Sequence, residues 1–246
     1  MSYLGIIAAF PGELKALVRG WQSVELSGAD KGDVAWEGRI GQTGCVAVAA
    51  GMGQKAAARA CALAERAVDG DGGLHGLVSL GWVGALSCGV SPGQAYRVAE
   101  VVDAETEERF RTSFPPDAAL RLKLVTVGHV VQAPEKRQLG ERFKAVFVDM
   151  EAVEVAKTAD RNSIPFYCFK AVSDAQGDVF PDFAVFTTSE GKLMMPALLR
   201  HLAIRPKYWR PMARIGKNSK IGAEALAESM REFLGEKSDA DSGSHR

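Results

Sequence analysis

The sequence predicts an α/β fold. The clearest evidence is a strand–helix–strand pattern, in which the apolar runs 145–148 and 164–172 flank a stretch with helical spacing of apolar residues. A second observation is the apolar run 4–10, which Pro11 and Gly12 interrupt before an amphipathic stretch begins. A chain of 246 residues with 47% apolar composition can bury one substantial core, so we expect a single domain.

The remaining elements alternate in the same way along the chain. In order, we predict a strand at 4–10, an amphipathic segment at 13–20, a hairpin with arms at 34–39 and 45–50, an alanine-rich helix at 55–68, strands at 74–80, 95–102 and 122–131, and a helix at 133–142. Residues 103–120 are polar and predict a surface excursion. The polar tail 235–246 predicts disorder, so the domain is expected to span 1–234.

The charge balance and the cysteines argue against several classes of protein. A formal net charge of zero is not typical of proteins that coat nucleic acids. The four cysteines form no Cys-x-x-Cys pair and the histidines show no ligand spacing, so we predict reduced thiols and neither a metal nor an organic cofactor. No basic leader and no apolar run of about 18 residues is found, and a soluble cytoplasmic protein is therefore expected.

One segment of the chain has charges of a single sign. Between residues 191 and 223 all the charged residues are basic, namely Lys192, Arg200, Arg205, Lys207, Arg210, Arg214, Lys217 and Lys220. Apolar and aromatic residues accompany them, and the combination is compatible with docking at an anionic membrane surface or with covering an apolar substrate. A subunit interface or a solvated helical cap is the alternative. We expect a basic apolar insertion at about 176–220 and leave open a peripheral position at the inner membrane face.

Acidic motifs follow the two apolar runs of the strand–helix–strand pattern. They are 149–152 (Asp-Met-Glu-Ala) and 173–175 (Ser-Asp-Ala). Ligands of open α/β sheets bind outside the carboxyl ends of the strands, so Glu151 and Asp174 should face one crevice. Glu13 lies at another strand–helix junction. Carboxylates gathered in this way indicate acid/base or hydroxyl-binding chemistry, whereas each one alone could simply cap a helix.

The order of these motifs resembles the nucleoside phosphorylase and nucleosidase superfamily, particularly its methylthioadenosine/S-adenosylhomocysteine nucleosidases. The resemblance is carried by motifs at 6–9 with Glu13, 51–57, 79–86, 91–94, 148–152 and 172–175. It implies a twisted mixed sheet, part-closed into a barrel and flanked by helices, in a homo-oligomer. It also implies an enzyme that splits the N-glycosidic bond of a purine nucleoside.

The resemblance further implies the roles of the site residues. Asp174 would protonate the purine at N7 and Glu13 would activate water, while Glu151 would bind the ribose hydroxyls and Met150 would pack against the sugar. The other residues implied to bind substrate are Ser173, Gly81, Trp82, Met52, Val131 and Gln132. Chemistry agrees, because breaking an N-ribosyl bond builds positive charge on the sugar and negative charge on the base. Asp174 would have to hold a proton near neutral pH, which desolvation at the end of an apolar strand would favour.

Two departures from the family pattern bear on the reaction. No arginine precedes the turn 79–82, where bacterial hexameric phosphorylases commonly carry one, so water is the favoured nucleophile unless Arg39, Arg97 or a neighbouring subunit supplies the cation. Trp82 replaces a small serine and could either pack or stack on substrate.

The overall pattern is similar to the hopanoid-associated members, which act on an adenosyl group attached to a lipid. The sequence thus predicts an N-ribosyl hydrolase for an adenine nucleoside, with a bulky or lipid 5′ substituent left open. A phosphate-dependent purine nucleoside phosphorylase and a non-catalytic nucleoside-binding protein are the alternatives.

Overall fold

The computed structural model of the chain describes residues 3–68, 72–115 and 121–243. Its strands are β1 (Tyr3–Ala8), β2 (Gln22–Val24), β3 (Val34–Ile40), β4 (Thr43–Ala49), β5 (Leu74–Ala85), β6 (Ala95–Arg97), β7 (Glu100–Asp103), β8 (Arg109–Arg111), β9 (Lys123–Thr126), β10 (Phe147–Asp149) and β11 (Phe166–Asp174). Its α-helices are α1 (Pro11–Leu14), α2 (Gln54–Ala67), α3 (Ala133–Phe143), α4 (Ala152–Arg161), α5 (Met195–Ala203) and α6 (Trp209–Gly243).

The strands form one mixed sheet around β5. The order is β2-β3-β4-β1-β5-β10-β9-β7-β8, and β11 pairs with both β5 and β6. Strand β5 runs parallel to β1 through its first half and antiparallel to β10 at its end, while β11 runs parallel to it along the other side. The carboxyl ends of β1, β10 and β11 therefore meet beside the second half of β5.

Apolar side chains cover both faces of this sheet. On one face, residues of α2 and α4 such as Leu63 and Val155 are fully buried against the strands. On the other face, Leu226 and Met230 of α6 are fully buried together with Leu14 and Leu17. The predicted α/β class, with a mixed sheet flanked by helices, is confirmed.

Several predicted elements have different bounds in the structure. Strand β5 continues to Ala85 instead of ending at 80, because β10 and β11 supply partners for its second half. The predicted strand 95–102 is two strands that pair with different neighbours, and the predicted strand 122–131 ends at Thr126. The helix predicted within 13–20 is only α1, which is followed by turns that already bury Leu17.

Two polar segments contain regular structure. Strand β8 lies within the predicted surface excursion and pairs with β7, whereas residues 116–120 lie outside the described residues. Helix α6 continues to Gly243, within the segment predicted as a disordered tail, and residues 244–246 are outside the described part. The hairpin of β3 and β4 and the helices α2, α3 and α4 lie where the sequence predicts them.

Candidate active site

A cavity of about 1120 Å³ opens at the carboxyl ends of β1, β10 and β11. Glu13, Glu151 and Asp174 all line it, although they come from distant parts of the chain. Asp149 and Glu224 also line it, and most of the remaining wall is apolar. The convergence that the sequence predicted for Glu151 and Asp174 is therefore present in the structure, and Glu13 joins them.

Glu13 is 3% exposed and is fixed by three backbone N–H groups. Ala9 and Phe10 donate to its Oε2 at 2.8 and 2.7 Å, and Trp82 donates to its Oε1 at 2.7 Å. Burial raises the pKa of Glu13, and these N–H groups and Lys170 oppose that rise by stabilising the carboxylate. The side chain thus closes the first turn of α1, as a capping carboxylate does, and also faces the cavity.

Glu151 lies directly before α4 and reaches across to the glycine turn that opens α2. Its Oε1 accepts a hydrogen bond from the backbone N–H of Gly53 at 2.7 Å. Gly53 has φ +89°, a conformation that suits glycine, so this turn can present its N–H to the carboxylate. Burial, and secondly the nearby Asp149, raise the pKa of Glu151 to about 7.

A buried ion pair lies beneath these carboxylates. Lys170 of β11 is 2% exposed, and its Nζ lies 2.8 Å from Asp149 Oδ2 and 2.9 Å from the Ser79 hydroxyl. Asp149 also accepts hydrogen bonds from the Thr126 hydroxyl at 2.7 Å and from the N–H of Ala152 at 3.0 Å. The negative charge of Asp149 is the main factor that raises the pKa of Lys170 against the effect of burial.

Asp174 ends β11 and contacts a cation that the sequence analysis did not identify. Its Oδ1 accepts a hydrogen bond from the Ser173 hydroxyl at 2.6 Å, and its Oδ2 forms an ion pair with Nζ of Lys136. Lys136 lies on α3, is 1% exposed, and also donates to the carbonyl of Ala175 at 3.0 Å. Gly84 makes room for the pair, because a Cβ there would lie 3.0 Å from Asp174 Oδ2 and 3.3 Å from Lys136 Cε.

The two buried lysines differ in how far the sequence could have indicated them. Lys170 interrupts the apolar run 164–172, and a single charge inside a buried strand is a signal for a paired or functional residue. Lys136 stands between Glu135 and Arg137 in a polar helix, where a lysine normally faces solvent. Only the packing of α3 against the end of β11 brings it into the site.

Trp82 links β5 to the long helix α6. Its Nε1 donates to the carbonyl of Ser219 at 3.0 Å, and its ring stacks on Phe10 with centroids 6.1 Å apart. Because it also lines the cavity, the indole both packs and contributes to the wall. Gly81 stands behind Glu13, since a Cβ there would lie 2.6 Å from Glu13 Oε1, and it therefore supports the site without lining it.

Some of the other predicted residues line the cavity and others do not. Met52, Met150, Ser173 and Val131 line the cavity. Gln132 does not line it, and its amide lies 3.5 Å from the carbonyl of Phe180. The two arginines considered for phosphate binding are elsewhere as well: Arg39 donates to the carbonyl of Gln42 at 2.5 Å and Arg97 lies over the ring of Phe233.

The segment after Asp174 forms the apolar side of the cavity. Its members come from the 3-10 turn Phe183–Phe186, helix α5, the start of α6 and the loops before the turn and before α5, namely Phe180, Phe183, Leu193, Met195, Leu198, Met212 and Ile215. Asn218 of α6 ties this side to the acidic side by donating to the carbonyl of Ser173 at 3.0 Å. Arg214 does the same through an ion pair with Asp178.

Comparison with family models identifies the chain. Residues 3–129, about half of the chain, match the model of the phosphorylase superfamily. The chain belongs to the phosphorylase superfamily. The predicted family and the prediction that the chain is an enzyme of this superfamily are thereby confirmed. A search among curated proteins found no match.

Several solved structures have the same fold. The methylthioadenosine/S-adenosylhomocysteine nucleosidase of Helicobacter pylori is 14% identical, with a TM-score of 0.67 over 96% of this chain and 99% of that protein. The futalosine hydrolase of Helicobacter pylori is 13% identical, with a TM-score of 0.69 over 96% and 98%. The methylthioadenosine nucleosidase of Arabidopsis thaliana is 17% identical, with a TM-score of 0.69 over 96% and 95%. At these identities the likeness shows that this superfamily member shares their fold.

Proposed function

We propose that the protein is an N-ribosyl hydrolase that cleaves an adenine nucleoside. The observation that carries this proposal is the convergence of Glu13, Glu151 and Asp174 on one cavity at the carboxyl ends of the strands. One end of that cavity has carboxylates suited to a sugar whose ring becomes cationic, and the other end has a proton-bearing pair suited to a departing base. The fold shared with nucleosidases named for adenosine derivatives supports adenine as the base.

Water is the nucleophile favoured by the charges near the sugar end. Phosphate would need a free cationic group there. Lys170 is the buried cation that acts electrostatically on both Glu13 and Glu151, and it is engaged with Asp149 and Ser79. Glu13, fixed by three N–H groups, is placed to receive a proton from an attacking water.

Product analysis tests this function. The purified protein is incubated with adenosine, methylthioadenosine and inosine, with and without phosphate, and the Asp174→Asn protein serves as the control for contaminating activity. We expect free base and free ribose, with no requirement for phosphate. Ribose 1-phosphate formed only with phosphate would instead identify a phosphorylase. Binding without any cleavage would identify a non-catalytic nucleoside-binding protein.

We further propose that the substrate carries a bulky apolar 5′ substituent and that the protein meets it at a membrane surface. Seven of the eight exposed large hydrophobic residues in the described part of the chain lie between 179 and 209: Val179, Val185, Met194, Met195, Leu199, Ile204 and Trp209. Met195 also lines the cavity, so the exposed apolar face continues into the candidate site. Among the described residues, no helix is long and apolar enough to cross a membrane.

Basic residues indicate which kind of membrane the protein would bind. The exposed residues Arg200, Lys207 and Arg210 lie next to these apolar residues in the sequence and would favour anionic lipids. We expect co-sedimentation with vesicles of phosphatidylglycerol and phosphatidylcholine but not with phosphatidylcholine alone. Charge reversal of the three residues to Glu should abolish it and leave adenosine cleavage intact. The matched reversal of exposed Arg111, Arg121 and Arg137 should have no effect, and equal loss in both variants would contradict the proposal.

A further inference from the structure

We propose that Lys136 is the catalytic acid that gives the departing base its proton, and that Asp174 acts as an ion-paired carboxylate beside it. This inference rests on the proposed function, because it assigns the proton source of the same reaction. It differs from the assignment that the family resemblance implied, in which Asp174 alone is the acid.

Asp174 contacts a cation and a hydroxyl group. Its Oδ2 accepts a hydrogen bond from the Lys136 ammonium, and its Oδ1 lies 2.6 Å from the Ser173 hydroxyl, which also lies 3.2 Å from the carbonyl of Val83. A neighbouring cation stabilises the charged form of a carboxyl group, and a charged carboxylate has no proton to give. The only proton shared within this pair belongs to the lysine.

Lys136 is buried and faces the cavity, as a proton donor would, and is not in the position of a surface lysine. The side chain lines the cavity although only 1% of it is exposed, and the ring of Phe180 lies 5.1 Å from its Nζ. Asp174 and the carbonyl of Ala175 accept two of the three N–H groups of an ammonium. The third is available for a purine nitrogen when the base lies against Asp174.

The step balances with water as the only co-reactant. The bond between C1′ of the ribose and N9 of the purine breaks, and its electron pair stays on the base. The base receives a proton on N7 from the Lys136 ammonium, which becomes a neutral amine. Water forms the new bond to C1′ and gives a proton to the Glu13 carboxylate. Proton exchange with solvent then restores Glu13 and Lys136.

The test uses two substrates that differ in their need for an acid. Adenosine requires protonation of its base, whereas 4-nitrophenyl β-D-ribofuranoside releases a stable anion without a proton. The ratio of the two kcat/KM values is measured for each variant on one preparation, so a reduced folded fraction cancels. Wild type is compared with Lys136→Met, Lys136→Arg and the double variant Lys136→Met with Asp174→Asn, in which no buried charge is left unpaired.

We expect Lys136→Met to lose on the order of a hundredfold or more with adenosine while keeping most of its activity on the nitrophenyl riboside. Lys136→Arg should behave in the same way, because a guanidinium keeps the charge but does not give up a proton. The double variant should show the same altered ratio. An unchanged ratio in Lys136→Met, or retention of adenosine cleavage by Lys136→Arg, would overturn this inference alone. If the wild type cleaved neither of the two substrates, the proposed function would be overturned as well.

Discussion

Buried charge is the shared property of the side chains at the centre of this site. Glu13, Lys136 and Lys170 are each at most 3% exposed, yet each is held by an opposite charge or by backbone N–H groups. Such satisfied groups keep fixed positions, and removing one partner leaves the other charge uncompensated. Single substitutions here should therefore change chemistry and stability together, which calls for matched controls.

The first such prediction concerns Asp174. Asp174→Asn should lower the turnover of adenosine by on the order of a hundredfold or more, because the amide can neither balance Lys136 nor stabilise its proton transfer. Steady-state kinetics with product identification measures this. The matched control is Asp178→Asn, which also removes a carboxylate paired with a cation, that of Arg214, but does not line the cavity. Unchanged activity of Asp174→Asn would remove this residue from the mechanism.

Glu151 predicts the pH dependence of the reaction. Its pKa of about 7 means that the carboxylate is lost as the pH falls through 7, and in its proposed role Glu151 uses the carboxylate to accept hydrogen bonds from the ribose hydroxyls. The value of kcat/KM should therefore fall between about pH 8 and pH 6, in a plot that reports the groups of the free enzyme. A rate that stays constant over this range would show that the protonation state of Glu151 does not matter.

The same group predicts a pH trend in stability with the opposite sense. An unfolded glutamate titrates near pH 4.3, so between about pH 4.3 and 7 the folded state holds the extra proton and the free energy of unfolding falls as the pH rises. Glutamine does not titrate, so the Glu151→Gln protein does not lose stability in this way as the pH rises. The free energy of unfolding of the variant minus that of the wild type should therefore rise by a few kcal/mol from about pH 5 to 8. Urea unfolding measures the difference.

The control for this trend is Glu154→Gln. Glu154 lies three residues further along, on α4, and pairs with Arg161 at 3.0 Å outside the cavity. Its stability difference from wild type should not follow that of Glu151→Gln. A parallel trend in the two variants would contradict the assignment to Glu151.

Helix α6 is the element that closes the site on the side opposite α2. It supplies buried Leu226 and Met230 to the core, accepts the hydrogen bond of Trp82 at Ser219, and ties Asn218 to the end of β11. The first part of the same helix belongs to the basic apolar segment. One helix thus anchors its second half in the core while its beginning forms part of the cavity wall.

Close packing of α6 against β11 predicts opposite effects at two of its glycines. A Cβ at Gly222 would lie 2.8 Å from Cβ of Ala171, whereas one at Gly235 would have no described atom within 4 Å. Gly222→Ala should destabilise the protein by about 1–3 kcal/mol despite the helix preference of alanine. Gly235→Ala should stabilise it by up to about 1 kcal/mol. Chemical unfolding of both variants measures this, and stabilisation by both would contradict the close contact.

For the molecule as a whole, the predicted homo-oligomer stays a prediction. The exposed apolar residues between 179 and 209 could contact either another copy of the chain or a membrane. Light scattering after size exclusion should give a multiple of the 26.3 kDa chain mass. A mass of one chain at all concentrations would contradict the oligomer. Substitution of Ile204 and Trp209 by Ser should then distinguish membrane binding from oligomer formation. It should weaken vesicle binding, and it should leave the mass unchanged if the subunits contact each other through a different surface.

Local patterns in the sequence account for most of the fold and for the acidic half of the site. Apolar runs, glycine turns and alternating periods locate β1, the β3–β4 hairpin, α2, α4 and β11, because these elements bury side chains next to one another in the chain. Glu151 and Asp174 were predicted because strand ends share one edge of a sheet, and Glu13 was predicted from the family resemblance. The full length of β5 was not predicted, because its second half pairs with β10 and β11, which come much later in the sequence.

Tertiary structure alone decided the place of Lys136 in the site. Lys136 carries no local signal of burial, because its neighbours Glu135 and Arg137 are those of a solvated helix. It becomes a site residue when α3 packs where Gly84 leaves space beside Asp174. A sequence pattern can report which residues are apolar and where strands end, but a contact between two charges distant in sequence exists only after the chain has folded. The sequence therefore determined where the carboxylates gather, and the packing of α3 decided which cation meets them.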